Sequence, residues 1–124
     1  MQDLDSQQIL AKYNIHSVTI AGDTRFDRVI EIKKQQKQLP VLEGFTTEAD
    51  KVLIAGSTWP KDEQFLARYL AEHEDIKLVL APHEINSSHL HQIFQLLEGR
   101  YIRYTEATPL NINKCRVLVV DTIG

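Results

Sequence analysis

Five short runs of aliphatic or β-branched residues recur along the chain and predict five β-strands. They cover residues 17–21, 52–55, 78–81, 101–104 and 117–120. Three of the runs are almost continuously apolar, which is typical of central strands covered on both faces. The run at 101–104 contains Arg103, so we expect that strand to be more exposed.

Apolar residues at helical spacing lie between these runs. One helix is predicted to begin at Thr58-Trp59-Pro60, because proline suits the first helical turn. Its apolar face is formed by Phe65, Leu66, Tyr69 and Leu70. A second is predicted to begin at Ser87 or Ser88 and to stop at Gly99, with an apolar face of Leu90, Ile93, Phe94 and Leu97. Further helices are predicted around residues 6–13 and from Phe26 onward, the latter becoming polar at residues 33–38.

Alternation of strands and helices predicts an α/β fold with a Rossmann-like, mostly parallel sheet flanked by helices. Residues 1–124 contain no internal repeat and are interpreted as a single partial domain. The connection at 105–114 is barely long enough for a parallel crossover. The last predicted strand leads into Asp121-Thr122-Ile123-Gly124, where a turn would feed another helix, so we expect a truncated domain.

Composition and charge exclude several classes of protein. Hydrophobic residues make up 43% and charged residues 25% of the 124 residues, as in ordinary globular domains. A net charge of −3 provides no basic field, so nucleic acid is not an expected partner. No apolar run approaches the roughly 20 residues of a membrane span, and the N-terminus does not resemble a signal peptide. We therefore expect a soluble cytoplasmic segment without membrane contact of its own.

Small and polar residues collect where the predicted strands end, at the edge where open α/β sheets bind ligands. Gly56-Ser57-Thr58 is the best candidate for a phosphate contact, because glycine permits close backbone approach and hydroxyls face an anion at a helix start. The alternative is an ordinary capped helix. Asp62 and Glu63, which follow in the first turn, would compete with a bound anion.

Histidines and an aspartate add further candidates at the same strand ends. His83 is interpreted as a polar lining residue or as a general acid or base. His89 and His91 diverge on a helix because they are two residues apart, so no metal site is predicted. Asp121 is expected either to cap a following helix or to orient a sugar hydroxyl.

In order along the chain, four strand-end segments resemble one family. They cover residues 22–29, 55–60, 81–84 and 120–124. They are similar to the C-terminal half of the transferases that move 3-deoxy-D-manno-octulosonic acid (Kdo) from CMP-Kdo onto a lipid A precursor. The resemblance runs from about Ser17 to Gly124 and implies the donor-nucleotide-binding domain of a two-domain GT-B glycosyltransferase.

The resemblance also implies where each function resides. Near the donor nucleotide it implies Gly56, Ser57, Thr58, Pro82, His83 and Gly124. It implies no metal and no cofactor, and it assigns the catalytic base and the lipid A precursor site to an N-terminal domain. No catalytic residue is therefore expected here, and the chain alone should be inactive. The parent enzyme would act at the cytoplasmic side of the bacterial inner membrane.

Two positions depart from the family pattern. Many members have proline-arginine-histidine where this chain has Pro82-His83-Glu84, so Arg25 or a residue outside this sequence would supply the phosphate contact. Many also have histidine at Trp59, where the indole offers a stacking surface or packs at the helix start. A UDP-sugar transferase or a nucleotide-sugar epimerase is the alternative. A phospho-receiver domain is disfavoured because its acidic cluster and lysine are absent from the matching strand ends.

Overall fold

A computed structural model describes residues 3–35, 38–47 and 49–123. Its contacts divide the chain into two compact units, Met1–Gln38 and Leu39–Gly124. Within the described residues, no helix combines the length and the apolar character that crossing a bilayer requires. The two units are described separately below.

The first unit contains two helices, α1 (Leu4–Ala11) and α2 (Thr24–Gln35). Asp3 caps α1 by accepting a hydrogen bond from the Ser6 amide at 2.8 Å, and neither helix contains a buried residue. The prediction of a strand at residues 17–21 is wrong, since this segment has no regular structure. Its β-branched residues favour a strand only where a neighbouring strand completes the hydrogen-bond ladder, and none of the described strands does so.

The second unit contains a four-stranded parallel sheet, which confirms the predicted α/β fold class. Its strands, in the spatial order β1-β2-β4-β3, are β1 (Lys51–Thr58), β2 (Ile76–Pro82), β3 (Tyr101–Arg103) and β4 (Val117–Val119). All four lie where apolar runs predicted strands. The helices are α3 (Pro40–Thr47), α4 (Pro60–Glu72) and α5 (Ser87–Leu97).

Alternate side chains of the two central strands, β2 and β4, pack into separate cores on the two faces of the sheet. Leu78, Leu80, Val117 and Val119 pack with α4 and α5 on one face. Val79 and Leu118 pack on the other face with Phe45 of α3 and with Ile112. Burial on both faces explains why β2 and β4 read as continuous apolar runs.

The connection from β3 back to β4 crosses the face opposite α5. Its 3₁₀ turn Ile112–Lys114 lies beside α3. Parallel crossovers are right-handed, so a return in the opposite direction along the sheet must use the opposite face. The short connection that the sequence left in doubt therefore completes the parallel pairing of β3 with β4.

The two edge strands of the described sheet are β1 and β3, of which only β3 was expected to be exposed. β3 is an edge strand, as Arg103 indicated. β1 is also an edge strand, and Ile54 on it is 72% exposed, although its apolar sequence favoured a central position. Leu53 and Ala55 pack against the α4–α5 core, while Val52 packs against the core on the other face. The apolar pattern of β1 therefore reflects contacts of its side chains with both cores. It does not indicate that a strand pairs with β1 on each side.

Side chains next to each helix define where α4 and α5 begin and end. Pro60 opens α4, and the Asp62 carboxylate accepts a hydrogen bond from the Trp59 amide at 2.9 Å. The cap of α5 is Asn86, whose side chain accepts from the His89 amide, and not Ser87 or Ser88. The helix α3 was not predicted, although Pro40 suits its first position.

Arg116 joins the end of α4 to the start of β2. Its guanidinium donates to the backbone carbonyls of Leu70, His73 and Ile76, with 3.1 Å to Leu70 and to Ile76. Leu70 is a buried core residue of α4, and Ile76 is the first residue of the central strand β2. One side chain thus satisfies carbonyl groups that the helix end leaves without intrahelical partners.

Replacing Arg116 with methionine keeps most of the side-chain volume and removes every donor. We expect Arg116→Met to lower the free energy of unfolding by about 2 kcal/mol, because half-buried carbonyls lose their partners. Urea titration followed by Trp59 fluorescence measures this change. The matched control is Arg100→Met, since the guanidinium of Arg100 makes an exposed 3.5 Å contact with Glu98; this substitution should cost less than about 0.5 kcal/mol. Equal costs for the two variants would contradict the assignment.

Candidate functional site

The candidate site is the edge of the sheet at which the parallel strands end. Strands that run parallel bring their carboxyl ends to one edge, where open α/β sheets hold their ligands. The β1 and β2 ends meet directly: Thr58 and Pro82 are register partners, and the His83 amide donates to the Thr58 carbonyl at 2.9 Å. The second and third sequence motifs are therefore adjacent in space.

The end of β1 contains an irregularity at Ser57. The register with β2 shifts between Gly56 and Thr58, and Ser57 has φ = 53°. A left-handed conformation is unfavourable for serine and marks a bulge of the kind that redirects side chains near functional sites. Gly56 and Ser57 are exposed at the edge, whereas Thr58 is buried.

Thr58 belongs to a buried polar network with Glu63 and His89. The Thr58 hydroxyl donates to Glu63 Oε1 at 3.0 Å, and His89 Nε2 lies 2.9 Å from Glu63 Oε2. Glu63 is only 3% exposed. A buried carboxylate without partners would be strongly unfavourable, so these two contacts are what permit its position. The Thr58 hydroxyl therefore faces inward and not toward the sheet edge.

Both ring nitrogens of His89 have partners. Its Nδ1 lies 2.9 Å from the carbonyl oxygen of Glu84, which can only accept a hydrogen bond, so Nδ1 is the donor in this contact. Its Nε2 lies 2.9 Å from Glu63 Oε2, so the ring connects the first turn of α5 to the buried carboxyl group of α4.

Sequence reasoning missed this network because its members are far apart along the chain. Glu63 was interpreted as a residue of the first helical turn that would compete with a bound anion, and His89 was considered only as a metal ligand. Residues 63 and 89 are 26 positions apart and meet only when α4 packs beside α5. A glutamate in a first helical turn gives no signal that its side chain turns inward.

Trp59 and His83 form an aromatic pair on the exposed side of the same edge. Their ring centroids are 4.4 Å apart and their planes are inclined by 31°. Trp59 remains 50% exposed, and His83 is exposed as well. The two rings come from the ends of different strands, so the pair exists only because β1 and β2 are neighbours.

Asp121 is held by the end of β3. Its carboxylate accepts from Arg103 Nε at 2.8 Å, from the Thr105 amide at 3.0 Å and from the Thr105 hydroxyl at 2.6 Å. The side chain has no exposed surface. Burial raises the pKa of Asp121, but the hydrogen bonds from Thr105 and Arg103 stabilise the carboxylate more and hold the pKa below its usual value. Asp121 therefore joins the chain after β4 to the end of β3.

The other candidate residues belong to the first unit or lie outside the described residues. Arg25 belongs to the first unit, where its Nε lies 2.9 Å from Asp23 Oδ1. This ion pair raises the pKa of Arg25 and lowers that of Asp23. Gly124 lies outside the described residues. Across residues 3–35, 38–47 and 49–123, no histidine, cysteine and carboxylate side chains form a group suited to a metal ion.

Comparisons of the chain with family models, with curated proteins and with solved structures found no match. The sheet edge combines an exposed turn at Gly56 and Ser57, an aromatic pair of Trp59 and His83, and a buried network behind them. This combination is typical of a ligand-binding edge, with rigid support under exposed groups.

His89→Ala removes the partner of a buried carboxylate. We expect the free energy of unfolding to fall by roughly 3 to 5 kcal/mol, because Glu63 stays buried with only Thr58 to bond it. The measurement is urea unfolding followed by circular dichroism. The exposed neighbour His91, which contacts Gln95 at 3.1 Å, gives the control His91→Ala with an expected change under about 0.5 kcal/mol. In a double-mutant cycle with Glu63→Ala, additive costs would refute the network.

Asp121 provides a prediction about pH. Its pKa in the folded protein lies below the ordinary 3.8. The carboxylate therefore stabilises the fold above that pH, and this contribution is lost as the pH falls through the folded-state pKa. We expect the stability difference between wild type and Asp121→Asn to be largest above about pH 5 and to shrink during acidification below 3.8. Urea unfolding across this pH range measures it, and a difference that does not change with pH would contradict the assignment.

Proposed function

We propose that this chain is the donor-nucleotide-binding part of a GT-B glycosyltransferase, of the kind that transfers Kdo from CMP-Kdo to a lipid A precursor. The observation that carries the proposal is the hydrogen bond from the His83 amide to the Thr58 carbonyl. It joins two of the resembling motifs at the carboxyl edge of a parallel sheet, the edge at which this class of fold holds nucleotides.

The turn at the end of β1 is suited to close contact with a ligand. An added Cβ at Gly56 would meet no atom within 4 Å, so the space beside its backbone is open. Ser57 lies beside it with its side chain exposed and its backbone in the left-handed region. A phosphate or sugar group can therefore approach the main chain here without displacing protein atoms.

The contacts of Asp62 and Glu63 reduce the repulsion that these carboxylates would exert on an anion at the start of α4. Glu63 is turned inward, where Thr58 and His89 contact its two oxygens. Asp62 accepts a hydrogen bond from the Trp59 amide, so its charge is engaged in capping α4. The acidic residues of the first turn therefore serve the fold, and their charge is partly compensated where a phosphate would bind.

In this proposal the chain positions the donor and stabilises the leaving CMP, while the acceptor hydroxyl is deprotonated by a carboxylate of another domain. Positioning and stabilisation of the developing charge are the contributions that such an edge can make. The chain alone is then expected to bind donor nucleotide without turning it over. The parent enzyme would work at the cytoplasmic side of the inner membrane, where its lipid acceptor lies.

The test is calorimetric titration of the chain with CMP, in parallel with UMP and UDP. We expect CMP to bind, and Gly56→Ala to weaken binding roughly tenfold because the new methyl group occupies the space that the ligand needs. The melting temperature of this variant should not fall, since the methyl group meets no protein atom.

The matched control is Gly44→Ala in α3, where an added Cβ makes an ordinary 3.6 Å contact with Ile112. It should leave CMP binding unchanged and stabilise the helix slightly. Preference for UMP or UDP would reassign the donor to a uridine nucleotide. Absence of binding by every nucleotide, with both variants folded, would overturn the proposal.

A further inference from the structure

The backbone that carries the exposed aromatic pair, Trp59 and His83, is held by hydrogen bonds at the ends of β1 and β2. Trp59 follows the last residue of β1, and the Asp62 carboxylate fixes its amide. His83 follows the last residue of β2, and the Thr58 carbonyl fixes its amide at 2.9 Å. Since both backbones are anchored at strand ends and the two rings contact each other, part of the ordering that a ligand would require is already present.

The two rings come from the ends of neighbouring strands and lie in direct contact, with ring centroids 4.4 Å apart. Together they form an exposed aromatic surface, which is suited to contact with another planar ring.

We propose that the Trp59–His83 pair is a stacking platform for the nucleobase of the bound nucleotide. This inference rests on the proposed function and names the part of the donor that this edge contacts. An indole that is 50% exposed offers a π-face on which any base can stack. The net charge of −3 favours a single nucleotide over a polynucleotide, whose binding requires many phosphate contacts.

Stacking predicts a specific order of ligands. Cytidine and CMP should both contact the platform, because each carries the base. Ribose 5-phosphate and inorganic phosphate lack the base and should leave the indole unaffected. Contact through the base is thereby separated from contact through sugar or phosphate.

Trp59 is the single tryptophan of the chain, so its fluorescence reports on this site alone. We expect CMP and cytidine to change Trp59 emission saturably, with the dissociation constant for CMP equal to the calorimetric one. We expect Trp59→Leu to weaken CMP binding roughly tenfold or more, and Trp59→Phe to retain most of the affinity because a stacking face remains. The control Phe65→Leu removes another exposed aromatic ring, on α4, and should leave binding unchanged.

The outcomes separate this inference from the proposed function. If CMP binds calorimetrically while Trp59 emission stays constant and Trp59→Leu binds as tightly as wild type, the platform is refuted and nucleotide binding stands. If ribose 5-phosphate changes the emission as CMP does, the platform contacts the sugar and the inference is wrong. If no nucleotide binds the folded wild type, both proposals fail. Wild-type fluorescence keeps the test decisive even if Trp59→Leu does not fold.

Discussion

The buried contact between Glu63 and His89 is the interaction on which the candidate site depends. It places a carboxylate in the core, which is tolerable only because His89 and Thr58 bond both of its oxygens. Each partner comes from a different element: the end of β1, the first turn of α4 and the first turn of α5. The contact thus fixes how these three elements meet. It also explains why Thr58 faces inward and leaves the edge to Ser57 and Trp59.

The strand order supplies the second constraint. Because the chain passes from β2 to β3 over one face and returns to β4 over the other, β2 and β4 become the central strands. The ends of β1 and β2 then lie side by side, which creates the Trp59–His83 pair. On the other side, Asp121 fastens the end of β4 to the β3 end through Arg103 and Thr105. One half of the edge is thereby closed by its own ion pair, and the half at β1 and β2 remains open.

A ligand at the open half would meet backbone and aromatic surface more than fixed charge. Gly56 has free space beside it, Ser57 is exposed, and Trp59 and His83 offer ring faces. Such a surface is suited to binding through contact area and ring stacking.

The sequence by itself determined the elements with strong periodicity or clear terminal residues. These are α4, which begins at Pro60, and the apolar strands β2 and β4. Arg103 also indicated the exposed character of β3. It did not determine which strands pair. β-branched residues at 17–21 form no strand, and the apolar β1 lies at an edge of the described sheet. Periodicity reports which faces are buried, whereas pairing and polar networks depend on residues distant along the chain. Only the tertiary structure could bring Glu63 to His89 and Trp59 to His83, since each pair joins residues more than twenty positions apart.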